Sequence, residues 1–119
     1  MAADRWKNLK ARTKEYALRI IRLFRVLPRS KEAQRIGDQL LRSGMSIGAN
    51  FREATRARSV EEFASKANIS LMELDETRYW LELLQESGIF SAKRLSLLFA
   101  ETDELTAIFV TIIKNAKGD

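Results

Sequence analysis

The stretch QLLRSGMSIGANFREATRARSVEEFASKANISLMELDETRYWLELL, residues 39–84, holds the second half of one helix, a short arginine-bearing link and a longer helix with two apolar seams. In the longer helix Val60, Phe63, Ala67, Ser70, Leu74, Thr77, Leu81 and Leu84 recur at steps of three and four. That spacing keeps them on one face of a helix. A second series, Ile69, Met72, Glu76, Tyr79 and Leu83, repeats the same steps, with Trp80 beside it. At about 100° per residue the two series fall on nearly opposite sides. A helix in a small bundle needs one apolar stripe, so the second stripe predicts burial against another subunit. A monomer exposing Ile69, Met72, Tyr79, Trp80 and Leu83 would carry a larger apolar patch than soluble chains usually tolerate. These five residues, with Glu76, form the predicted oligomer interface.

Local signals bound this helix. Ser59-Val60-Glu61-Glu62 reads as a capping box, in which the serine oxygen takes the Glu62 amide and the Glu62 carboxylate reaches back to the serine amide. Ser87-Gly88 ends it. The preceding helix opens at Ser30 or Lys31, with a core face of Ala33, Ile36, Leu40, Ile47, Phe51 and Ala54. Gly37, Gly44 and Gly48 sit on or beside that face, at about 1 kcal/mol each relative to alanine. The Gly44–Gly48 spacing is flanked by Arg42, Ser46 and Arg52, so it predicts close packing between soluble helices and not a membrane dimer. A polar seam of Gln39, Ser43, Ser46 and Asn50 is expected to hydrogen-bond to a facing helix.

Upstream, a first helix starts near Asp4 or Thr13 and ends before Pro28, because the residue preceding proline disfavours the α region. Tyr16, Ala17, Ile20, Phe24 and Leu27 form its apolar face. Opposite lie Arg12, Arg19, Arg22, Arg25 and Arg29, with Glu15 as the one nearby acid. Downstream, Ser91 caps a fourth helix whose stripe is Leu95, Leu98, Thr102, Leu105, Phe109 and Ile112, widened by Leu97, Ile108 and Ile113. The expected fold is all-α: an antiparallel up-down-up-down four-helix bundle in a single domain, with helices over about 5–27, 31–56, 60–86 and 92–117.

Composition narrows the chemistry. The 119 residues include no cysteine and no histidine, which removes thiolate ligands, a thiol nucleophile and the commonest general base. Glu73, Asp75 and Glu76 lack the histidine that bundle di-metal sites use, and read as a solvated or arginine-paired face. Ser59 and Ser91 are better explained as caps than as nucleophiles. No catalytic residue, metal site or cofactor is predicted, and the chain is expected not to be an enzyme. No apolar run reaches the roughly 20 residues of a membrane span, so a cytoplasmic protein is expected.

Charge is divided unevenly. Residues 1–59 carry 15 basic and 5 acidic side chains, whereas residues 60–119 carry 6 and 11. A chain so polarised can offer its basic half to phosphate or to the acidic half of another copy.

The run LLRSGMSIGANFREA and the later SVEEFASKANISLMELDETRYWLELLQESGI resemble a bacterial family of four-helix bundles, related to proteins encoded by intervening sequences within 23S rRNA genes. The resemblance covers about residues 13–115, and SIGAN at 46–50 together with DETRYWLELL at 75–84 carries it. Phe51 stands where a smaller aliphatic is more usual, and Met72-Glu73-Leu74 replaces a more polar triplet. The resemblance implies a homo-oligomer, a five-membered ring, without catalytic activity. Similar bundles in diversity-generating retroelements are basic accessory subunits that engage a reverse transcriptase and nucleic acid.

Two readings follow. In the first, a homopentamer binds RNA or DNA backbones through Arg19, Arg22, Arg25, Arg29, Arg52, Arg56 and Arg58. In the alternative, the same basic half docks an acidic protein partner or a neighbouring subunit, with no direct role for nucleic acid. Both readings use the same arginines.

Overall fold

The computed structural model describes residues 5–118, and among them there are four helices and no strand. These are α1 (Lys7–Arg25), α2 (Lys31–Ala54), α3 (Val60–Glu86) and α4 (Ala92–Ala116). The predicted helix start near Asp4 lies outside the described residues.

Each of the last three helices begins on a serine. The Ser30, Ser59 and Ser91 hydroxyls accept from the amides of Ala33, Glu62 and Arg94 at 3.4, 3.0 and 3.2 Å. Each bond satisfies one amide that a helix start would otherwise leave open. The capping box at Ser59 is half formed: among the described residues the Glu62 carboxylate makes no return bond to the Ser59 amide. Helix α1 stops earlier than the proline alone demands. The amides of Val26 and Leu27 close onto Leu23 and Phe24, which turns Leu27 inward ahead of Pro28. At the end of α3, Gly88 takes φ +81°, a left-handed conformation that costs glycine little. The chain then returns so that the Phe90 amide bonds the Leu84 carbonyl and the Phe90 ring is buried.

Side chains from all four helices meet in one core. Tyr16 and Ile20 come from α1, Leu40, Ile47 and Phe51 from α2, Leu74, Leu81 and Leu84 from α3, and Leu105 and Phe109 from α4. At one end the rings of Trp6, Phe51, Phe63 and Phe109 join the elements. Trp6 stacks on Phe63 at 5.4 Å, and Phe51 meets Trp6 and Phe109 edge-on at 5.6 and 5.3 Å. Such pairs add about 0.5–1.5 kcal/mol each beyond the area they bury.

The glycines of α2 let α1 approach. A methyl on Gly44 would lie 2.9 Å from Ile20, and one on Gly48 would lie 3.0 Å from the Thr13 hydroxyl. Going along α2 from Gly37 through Gly44 to Gly48, the facing α1 residues run backwards, from Leu27 through Ile20 to Thr13. Helices α2 and α3 share a buried polar line. Ser70 donates to the Ile47 carbonyl at 2.8 Å, and the Thr77 and Ser43 hydroxyls lie 2.8 Å apart. The polar seam of α2 therefore reaches its neighbour through Ser43 alone. Ser46 and Asn50 instead bond back to Arg42 and Ser46 carbonyls of their own helix, and Gln39 accepts from Arg42. The two hydroxyls at steps of seven in the inner seam of α3 are thus polar partners inside an apolar face.

Several stripe assignments change, and Ala17, Phe24, Ile36 and Phe63 are half-buried at the margin of the core. Val60 is 55% exposed because it sits in the first turn of α3, beyond the reach of the core. Leu97 is 76% exposed, so it widens the outer face of α4 and not the core. Ile113 is buried and Ile112 only half-buried, since a helix of 3.6 residues per turn drifts off a strict seven-residue repeat.

Candidate nucleic-acid and subunit interfaces

The basic side chains of α1 separate onto different flanks. Arg12 turns toward α4, where its guanidinium meets Glu101 at 2.7 Å and Glu104 at 3.0 Å. The Glu101 hydrogen bond, ahead of the others, raises the Arg12 pKa above its ordinary value. Arg12 is therefore a strut between helices and does not belong to a free arginine row. Arg22 is exposed and pairs with Glu15 at 3.0 Å. Arg19, Arg25, Arg29, Arg52, Arg56 and Arg58 have no carboxylate within ion-pair distance among the described residues.

The seven candidates do not form one patch. Arg22, Arg25 and Arg29 gather where α1 ends and α2 begins. Arg56 and Arg58 lie in the α2–α3 link, at the opposite end. Arg58 lines a 490 Å³ cavity there with Arg5, Trp6 and Phe63, and Arg5 covers the Trp6 ring at 4.7 Å. Arg52 lies beside Lys10 and Lys14 on a groove between α1 and α2. At about 1.5 Å per residue, Lys10 and Arg25 lie roughly 20 Å apart along α1, and the 24 residues of α2 put about 35 Å between Arg29 and Arg56. The described residues span 45 × 22 × 20 Å, so this basic edge occupies much of the long dimension. Lys10 and Lys14 are absent from the sequence-derived set, although their four-residue spacing puts them on one helix face.

The predicted interface residues of α3 do share a side, but unevenly. Met72 is 62% exposed and Tyr79 is 51% exposed. Ile69, Glu76, Trp80 and Leu83 are half-buried. Trp80 packs partly against the core and donates its indole N–H to Glu76 at 3.0 Å, while Tyr79 meets it edge-on at 5.0 Å. Glu76 is also bound by Arg42, which reaches Glu73 at 3.4 Å as well. Arg42, on α2, thus supplies the cation for two of the three clustered carboxylates. Arg78 is directed elsewhere, to Asp103 at 2.7 Å and to Glu82. The third carboxylate, Asp75, is exposed beside Met72 and Tyr79 with no cation partner among the described residues.

Among the described residues no cluster of acids could hold a metal ion, and no helix is long and apolar enough to cross a membrane. The family model for the 23S rRNA-intervening sequence protein matches residues 7–111. No functionally curated protein matches the sequence. Among solved structures, a protein of unknown function from the S23 ribosomal protein family of Bacteroides thetaiotaomicron is 38% identical. The match covers 88% of this chain and 97% of that one, with a TM-score of 0.83. With the matched model spanning all but the ends, the chain belongs to the 23S rRNA-intervening sequence protein family.

Proposed function

We propose that the protein is a non-enzymatic homo-oligomer of up-down-up-down bundles, a ring of five, that binds RNA or DNA backbones through its α1–α2 edge. The observation that carries this reading is the charge of α1. Residues 7–25 hold seven basic side chains and one acid, and among the described residues Arg19 and Arg25 face no carboxylate at all. Arginines left without a carboxylate are free to meet an anion, and a polyphosphate backbone is long enough to reach several of them along the molecule. Arg22, Arg25 and Arg29 at one end, with Arg56 and Arg58 at the other, would straddle a backbone segment, and Arg52 is available to it where the α1–α2 groove is open. Arg19, half-buried on the α4 side, would contribute field more than contact.

Arg58 has the Trp6 and Phe63 rings beside it, but these stack on each other, so recognition follows backbone charge and shape, with little sequence selectivity. The experiment is a titration against structured RNA at two salt concentrations. Binding that weakens steeply with salt supports the reading, and binding that salt leaves unchanged rejects it.

A protein-adaptor reading is favoured by one different observation, the exposed Met72–Tyr79 face, which is apolar and carries Asp75. Such a face suits another protein surface, including a reverse transcriptase subunit, better than it suits phosphate.

A further inference from the structure

We infer that the outer face of α3 seats in the α1–α2 groove of a second copy of this chain, with Met72 and Tyr79 as knobs and Asp75 against the groove's cations. This rests on the oligomeric reading above and names the other half of its joint. A joint that repeats around a ring is heterologous, so it needs two different surfaces that complement each other. Apart from Val26 and Val60 near helix ends, the large exposed apolar side chains form three groups. They are Met72 and Tyr79 on α3, Leu97 and Val110 on α4, and Leu18 and Met45 on α1 and α2.

Charge selects between the last two. Helix α3 carries seven acids and two bases. Arg42 and Arg78 pair with Glu73, Glu76 and Glu82, which leaves Asp75 beside Met72 and Tyr79 without a cation among the described residues, so this face favours a basic counterpart. Helix α4 carries three of each and offers no such preference. Beside Met45, by contrast, lies a groove of 330 Å³ floored by Ala17, Gly48 and Ala49 and rimmed by Lys10, Lys14 and Arg52. Small residues on the floor leave room for a methionine or tyrosine knob. The three rim cations have no carboxylate among the described residues, and Asp75 has no cation. Helix α2 packs on α1 by one flank and on α3 by the other, so it stands between the two surfaces. They are two different patches, as a heterologous joint between identical copies requires. Arg52 belongs to this joint, which leaves the nucleic-acid role to the arginines at the two ends.

The test measures particle mass by light scattering at micromolar concentration, with helical content checked by circular dichroism. The unaltered chain should weigh a multiple of 13.7 kDa. Asp75→Lys and Lys14→Glu should each raise the dissociation constant about tenfold or more, as like charges meet across the joint. The charge-swapped double variant should recover the assembled mass. Tyr79→Ser, which changes a half-exposed side chain, should also dissociate the particle, while Leu97→Ser should not. Single-charge variants that assemble normally, a swap that fails to restore mass, or dissociation by Leu97→Ser would overturn the joint. An unaltered chain that weighs a single copy would overturn it too. RNA titration of the same samples judges the nucleic-acid reading separately, because Arg25 and Arg29 lie outside the joint.

Discussion

The Tyr16 hydroxyl lies 2.5 Å from the Thr102 hydroxyl, a fully buried bond that ties α1 to α4. Its direction follows from the neighbouring bond. Thr102 has one hydroxyl proton, and it goes to the Leu98 carbonyl at 2.7 Å. Tyr16 must therefore donate and Thr102 accept. Burial pushes the Tyr16 pKa well above the ordinary value of 10, with the Thr102 bond acting in the opposite sense.

An alkaline limit to stability follows from that raised pKa. The folded chain holds the Tyr16 proton where the unfolded chain releases it. The contribution is complete below about pH 10, the unfolded value, and falls as pH rises beyond it. Tyr16→Phe should cost about 1 kcal/mol at neutral pH, since Thr102 keeps its bond to Leu98. It should also flatten the loss of stability between pH 10 and 12. Urea midpoints of both chains across that range check this, and parallel curves would contradict it.

Gly44 should resist even alanine. A methyl there would sit 2.9 Å from two Ile20 carbons, and Ile20 is fully buried with no open side to move toward. Overpacking of this kind costs about 1–3 kcal/mol, against which alanine's helix propensity returns about 1 kcal/mol. Gly44→Ala should therefore lower stability by about 1 kcal/mol, and by no more than about 2. Gly37→Ala should be milder, although its methyl would come within 2.4 Å of Leu27, because the atom met is the mobile end of a leucine. Equal or reversed effects in urea melts would show that α1 can back away.

Asp103 supplies the acid-side counterpart. Hydrogen bonds from Arg78 at 2.7 and 3.2 Å hold its carboxyl below the usual range, with partial desolvation opposing them. A depressed folded pKa means the stabilisation is present above about pH 3.9, the unfolded value, and is lost as pH falls through the folded one. Because Asp103 is more than half exposed, the gain should stay below about 1 kcal/mol. The stability gap between the native chain and Asp103→Asn should accordingly narrow from pH 6 to pH 2.5. A gap that stayed constant would assign the effect of Asp103→Asn to something other than the ion pair.

These long-range partners explain what the amino-acid order could and could not reveal. Steps of three and four in α3 report a helix face directly, because a helix repeats every 3.6 residues. Serine caps and the Gly88 stop are equally local. Arg12 and Glu101 are 89 residues apart, and no periodicity in α1 announces that α4 will present two carboxylates to it. The same holds for Arg42, whose ties to Glu73 and Glu76 turn a cluster suggestive of metal binding into an interhelical ion pair. The outer seam of α3 was legible as apolar. Its division into exposed Met72 and Tyr79 and half-covered Trp80 depends on how α2 leans against it.

If nucleic acid binds along the α1–α2 edge, the two ends of that edge should contribute separately. Each phosphate neutralised adds about 0.7 to the salt slope for a single strand and about 0.9 for a duplex. Replacing Arg22, Arg25 and Arg29 by alanine should lower the slope by about two, because Arg22 already has Glu15 as a partner and adds less than a full contact. Replacing Arg56 and Arg58 should lower it by a further one to two units, roughly additively, since the 24 residues of α2, about 35 Å, lie between Arg29 and Arg56. Fluorescence titrations of a structured RNA between 50 and 200 mM salt would measure both slopes. A slope untouched by either set of replacements would remove nucleic acid from the basic edge and leave that edge to protein partners.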